Sequence, residues 1–81
     1  MITKYKILNQ IENKFGFGKK INDFKLKDFI EGKGFKIKTN VLVNNTTEST
    51  YEMKIKDSGK TITTLIISSK EGSGTMIEDI A

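Results

Sequence analysis

Cysteine and histidine are both absent from this chain. Without cysteine there are no disulfides, no thiolate nucleophile and no thiolate metal centre. Without histidine the usual general base is missing, and the two absences together remove nearly every zinc or copper site. Serines and acids remain, but no serine lies near a plausible base in sequence and no carboxylates show paired catalytic spacing. Glu71, Glu78 and Asp79 could in principle ligate a cation, yet they read better as a solvated tail. The chemistry therefore points to a protein that is not an enzyme and uses no cofactor and no metal.

Arginine is also absent. Its planar fork is the usual device for reading guanine edges and for gripping phosphates bidentately, whereas a lysine acts as a point charge. Any contact with nucleic acid would therefore rest on neutralising the phosphate backbone and not on reading bases. No run approaches the ~20 apolar residues of a membrane span, and Met1 to Phe15 has no apolar stretch of the secretory type. Absent cysteine agrees with a cytoplasmic location. Asn44-Asn45-Thr46 and Asn45-Thr46-Thr47 match the glycosylation pattern but read as loop.

The abundant residue is lysine. All fourteen basic residues are lysine. Residues 1–38 hold ten lysines against four acids, a net of +6, and residues 39–81 hold four lysines against six acids, a net of −2. A basic half on a modestly charged chain suggests a polyanion or an acidic partner surface. A second reading is compositional: the chain has no proline, one alanine and many Lys, Ile and Asn residues, the set favoured by AT-rich coding sequence.

Eighty-one residues make one domain, spanning 1–81. A chain of this size buries roughly 60–65% of its unfolded surface, so its stability is marginal and a partner or self-association would add to it.

Lys4 to Phe15 reads as an amphipathic helix, with Ile7, Leu8, Ile11 and Phe15 on one stripe, Thr3 at its start and Gly16 at its end. A second helix is expected from Asp23 to Glu31. Asn22 is its N-cap, Ile21 and Leu26 form a hydrophobic staple, and Gly32-Lys33-Gly34 stops it. Phe35 to Val43 alternates as a strand, with Lys36, Lys38, Asn40 and Leu42 on one face. Asn44 to Ser49 is a polar loop. Thr50–Asp57 and Lys60–Ser68 flank Ser58-Gly59, the signature of a two-residue hairpin turn. Direct folding about that turn sets Lys56 opposite Thr61, Ile55 opposite Ile62, Met53 opposite Thr64 and Glu52 opposite Leu65. Ser68 to Gly74 is read as loop and Thr75 to Ile80 as a short helical turn.

The expected fold is thus α+β: two N-terminal helices packed on a three-stranded antiparallel sheet, in the order ααβββ. A winged helix is the alternative and requires Phe35–Asn45 to be a recognition helix.

Two glycine motifs carry little. Gly59-Lys60-Thr61 follows a strand, but a phosphate loop needs glycine at the position of Lys54 and a helix afterwards. Gly16-Phe17-Gly18 lacks a preceding strand and a third glycine.

Two surfaces remain. Lys54, Lys56 and Lys60 ring the hairpin tip, Lys36 and Lys38 occupy the preceding strand, and Lys25 and Lys27 lie on the second helix. These seven are the candidate nucleic-acid contacts, working as a wing or a phosphate-tracking face. The competing reading is a solubilising face that blunts an edge strand. Leu42, Leu65 and Ile67 point to the otherwise polar sheet face. Either the first helix covers them or they form an apolar patch for a protein partner or a homodimer.

Lys27 to Phe35, Gly59 to Ser68 and Gly72 to Ala81 resemble stretches of the small toxins of the HicA type, about half of the chain. Those toxins are similar to double-stranded-RNA-binding domains, with a helix, three strands and a helix, and they cleave RNA with a histidine. The resemblance implies binding without cleavage here, since no histidine is present, and residues 1–20 have no counterpart in it.

The first functional expectation is a small non-enzymatic protein that contacts nucleic acid through backbone charge. The alternative is a protein of the kind phages and plasmids encode, which docks on an acidic host protein surface through the basic face and an apolar anchor.

Overall fold

The computed structural model describes residues 3–81. Two helices, α1 (Thr3–Lys14) and α2 (Asp23–Gly32), precede four strands: β1 (Lys36–Asn44), β2 (Glu48–Asp57), β3 (Lys60–Lys70) and β4 (Gly74–Ile80). The strands form one antiparallel sheet in the order β1-β2-β3-β4. The class is α+β as expected, with one strand more. The winged helix is excluded, because 36–44 is strand. The helix–three strands–helix order of the toxin resemblance is not found either, because 74–80 is strand.

α2 starts where its cap dictates. The Asn22 side chain accepts from the backbone N–H groups of Phe24 and Lys25 at 3.0 and 3.2 Å, satisfying donors that have no partner inside the helix. Phe15 and Phe29 meet edge to face at 5.6 Å, joining the end of α1 to α2. The apolar stripes of the helices (Ile7, Leu8 and Ile11; Leu26 and Ile30) close over Met53, Ile55, Leu65, Ile67 and Ile77 of the sheet, and these ten residues are the core. Fully burying a side chain of this size contributes about 1.5–3 kcal/mol.

The β2–β3 hairpin turns at Ser58-Gly59 as expected. Both residues have positive φ, 53° and 81°, the backbone of a type I′ turn that matches the strand twist. Its register differs from direct folding. Lys56 does pair with Thr61, but a bulge follows, and Ile55 pairs with Thr63, Met53 with Leu65 and Tyr51 with Ile67. Since side chains alternate with period two, the one-residue slip exchanges faces. Leu65 and Ile67, read on the otherwise polar face as either covered by the first helix or part of a partner surface, lie on the other face, fully buried in the core, and Ile66 takes the polar face.

Bulges explain two further differences. In β3–β4 the register passes from Ile66↔Asp79 to Ile67↔Ile77. The residue left over, Glu78, places Ile77 and Ile80 three apart yet both against core strand positions. That spacing imitates a helical turn in sequence. In β1 the shift falls between Val41 and Val43, so Val43 pairs with Thr50 and Leu42 is the extra residue.

The two sheet edges differ. Residues 17–21 run along β4: Gly18 N–H donates to the Ile77 carbonyl at 3.0 Å, Ile21 N–H to Thr75 at 2.8 Å, and Lys20 bridges Met76. Among the described residues, β1 has no strand neighbour on its outer side.

Candidate nucleic-acid interface

The helices cover one face of the sheet, and the alternation that buries Met53 and Ile55 sends Glu52, Lys54 and Lys56 to the other. β1 adds Lys36 and Lys38, because Lys36 is directly opposite Lys56 and Lys38 directly opposite Lys54. Four lysines therefore form a two-by-two block on the uncovered face. Opposed residues in such a ladder have Cβ atoms about 4.5–5.5 Å apart, and like charges placed so are destabilising.

One carboxylate lies within the block. Glu52 is 3.6 Å from the Lys54 ammonium and accepts a long hydrogen bond from Asn40 at 3.4 Å. Among the described residues, Lys36, Lys38 and Lys56 have no acidic partner within ion-pair distance. The opposite end of the sheet is compensated: Lys70 lies 3.8 Å from Glu48 and 3.6 Å from Glu78.

The other three candidate lysines are placed differently. Lys60 follows the turn opposite Asp57, one ladder position on from Lys56, and so alternates to the other side from the block. Lys25 and Lys27 are on α2, on the far side of the sheet from the block. Lys27 stands over the rings of Tyr51 and Phe24 at 5.3 and 5.7 Å. Lys14 and Lys33 likewise stand over Phe29 at 5.4 and 5.2 Å. Several helix-layer lysines thus lie against aromatic faces, a contact of about 0.5–1 kcal/mol at exposed sites. No such contact involves the sheet-face lysines among the described residues.

Beside Lys27, the Tyr51 hydroxyl donates to the Asp23 carboxylate at 3.0 Å. Partial burial, the hydrogen bond to Asp23 and its negative charge push the phenol well above its ordinary range. Of the expected apolar patch, only Leu42 is at the surface, about half exposed, and Val41 and Val43 beside it are exposed too. Sequence reasoning missed these two because it did not foresee the bulge, and because Val41 was assigned to the face that the helices cover. On β1 the cover reaches Ile37 but not Val41.

Among the described residues no group of three or more Asp or Glu side chains is gathered as a cation site, and no helix is long and apolar enough to cross a membrane. No protein-family model, no curated protein and no solved structure matches this chain.

Proposed function

We propose that this protein is a non-enzymatic nucleic-acid-binding domain that holds the phosphate backbone with the lysine block of its uncovered sheet face. The observation that carries the reading is the pairing of Lys36 with Lys56 and of Lys38 with Lys54. A ladder that sets like charges opposite one another twice weakens the fold, and a polyanion laid across it turns that repulsion into attraction. Solubility alone needs lysines on the surface but does not need them face to face. Lys60 at the hairpin tip and Lys25 and Lys27 on α2 lie outside the block.

Binding by point charges predicts weak sequence preference and a steep response to salt. Four phosphate contacts give a slope of about −3.6 in log affinity against log salt, so affinity for a labelled mixed-sequence duplex should fall roughly a hundredfold between about 50 and 200 mM salt. Fluorescence anisotropy measures this. Replacing Lys36, Lys38, Lys54 and Lys56 together with Gln should abolish binding. No binding at the lower salt, or undiminished binding by the fourfold variant, refutes the assignment.

The exposed Val41-Leu42-Val43 run on the edge strand supports a second reading, an acidic protein partner docked on the basic face with Leu42 as an apolar anchor. Capture from a lysate that survives nuclease and is lost in Leu42→Lys would favour it.

A further inference from the structure

The lysine block does not end on a flat surface. At its hairpin end, where the chain leaves α2 and enters β1, a cleft of about 350 Å³ is lined by Gly34, Lys36, Lys56, Ser58 and Gly59. Lys36 and Lys56 are ladder partners, so both side chains leave the sheet on the same face beside it. No acidic side chain lines it, and Asp57, the nearest acid in sequence, is opposite Lys60 beyond the turn. The two glycines hold φ of 96° and 81°, values that side chains resist, and a Cβ built on either would meet nothing within 4 Å. The opening is therefore kept clear by backbone conformation. The Ser58 side chain adds a hydroxyl donor at the rim.

We infer that this cleft seats a terminal phosphate monoester, so that a nucleic-acid strand is held by its phosphorylated end with the adjoining backbone running over Lys38 and Lys54. The inference rests on the reading of the lysine block above. A backbone diester carries one negative charge, whereas a monoester carries about −1.5 to −2 near neutral pH and three acceptor oxygens. Two neighbouring lysines and a hydroxyl lining one concave space match the second species better than the first. The position agrees as well, because the cleft lies at the end of the block and a strand terminus needs room in one direction only.

The test compares one single-stranded oligonucleotide in three forms, carrying a 5′-phosphate, a 3′-phosphate or hydroxyls at both ends, by anisotropy at about 50 mM salt. One of the phosphorylated forms should bind roughly fivefold tighter than the hydroxyl form, the scale of an added surface charge contact. Lys36→Gln and Lys56→Gln should each erase the difference, while Lys38→Gln weakens all forms alike. All three changes relieve repulsion, so circular dichroism should report folded variants. Equal binding of the three forms overturns the inference, even if inorganic phosphate alone shifts the amide signals of Lys36 and Ser58, which would mark a seat for small anions. If the three forms bind equally but with a steep salt response, the lysine face stands and the strand-end seat falls. If none binds, both fall.

Discussion

Reversing one charge in the lysine block separates stability from binding. Lys36 and Lys56 occupy opposed positions on the uncovered face. Two ammonium groups about 6 Å apart in a water-like dielectric repel by about 0.7 kcal/mol. Lys36→Glu converts that repulsion to attraction. Side-chain freedom and screening reduce the full swing, leaving an expected gain of about 0.5–1 kcal/mol. For a domain of this length that raises Tm by roughly 3–6 °C. Lys56→Glu should do the same. The double reversal puts two carboxylates opposite each other and should return stability close to that of the parent. Nucleic-acid affinity should follow a different order, falling in each single variant and furthest in the double. Thermal melts at low salt read the first quantity, anisotropy reads the second, and high salt should flatten the stability differences. The reasoning fails if Lys36→Glu does not gain stability, if the double variant keeps the gain, or if affinity rises and falls with stability.

The register of the hairpin can be checked without any ligand. Leu65→Ala empties a fully buried site and should cost about 2–5 kcal/mol in urea unfolding, whereas Leu42→Ala on the exposed edge should stay within about 0.5 kcal/mol; equal effects would contradict the bulge. Thr63 is buried opposite Ile55 and its hydroxyl has no hydrogen-bond partner among the described residues. Thr63→Val keeps the shape and removes the orphan group, so it should stabilise by about 1 kcal/mol, and a loss of stability would show that the hydroxyl is satisfied in solution. Tyr51 links the fold to alkaline pH. Its pKa is raised in the folded state from an ordinary value of 10.0, so the neutral phenol contributes stability that is complete below pH 10 and is lost as pH rises beyond it toward the folded-state value. In a Tyr5→Phe background the phenolate absorbance should appear late, and Tyr51→Phe should remove this part of the alkaline destabilisation; an ordinary titration of Tyr51 would refute the Asp23 contact.

Local signals were legible and ladder defects were not. Asn22 caps α2 because its short side chain reaches two backbone donors, those of Phe24 and Lys25, a property of four consecutive residues. Ser58-Gly59 turns because both residues tolerate positive φ, again a local matter. The alternation of Lys36 and Lys38 placed them on one face, and their sharing of that face with Lys54 and Lys56 follows once the strands are neighbours. A bulge has no such signature. It adds one residue to one strand, decided by how two strands fit over a core contributed by distant helices. The three register shifts account for what the sequence reading missed: in β2–β3 period-two reading had Leu65 and Ile67 on the polar face and they lie in the core, in β1–β2 Leu42 is the extra residue, and in β3–β4 the bulge sets Ile77 and Ile80 three apart in a segment read as a helical turn. The separation of Lys25 and Lys27 from the sheet lysines was equally hidden, since it depends on which face of the sheet the helices choose.

The connector along β4 also sets a limit on assembly. A strand ladder can be extended only from an edge whose backbone groups are free, and hydrogen bonds from Gly18 and Ile21 already occupy the β4 side. Among the described residues the edge left open to extension is β1. Two molecules joined antiparallel through β1 would use up both open edges at once, giving an isologous pair with no site for a third. Pairing of that kind, if the exposed Val41-Leu42-Val43 run drove it, would end in a closed pair and not in open-ended fibres.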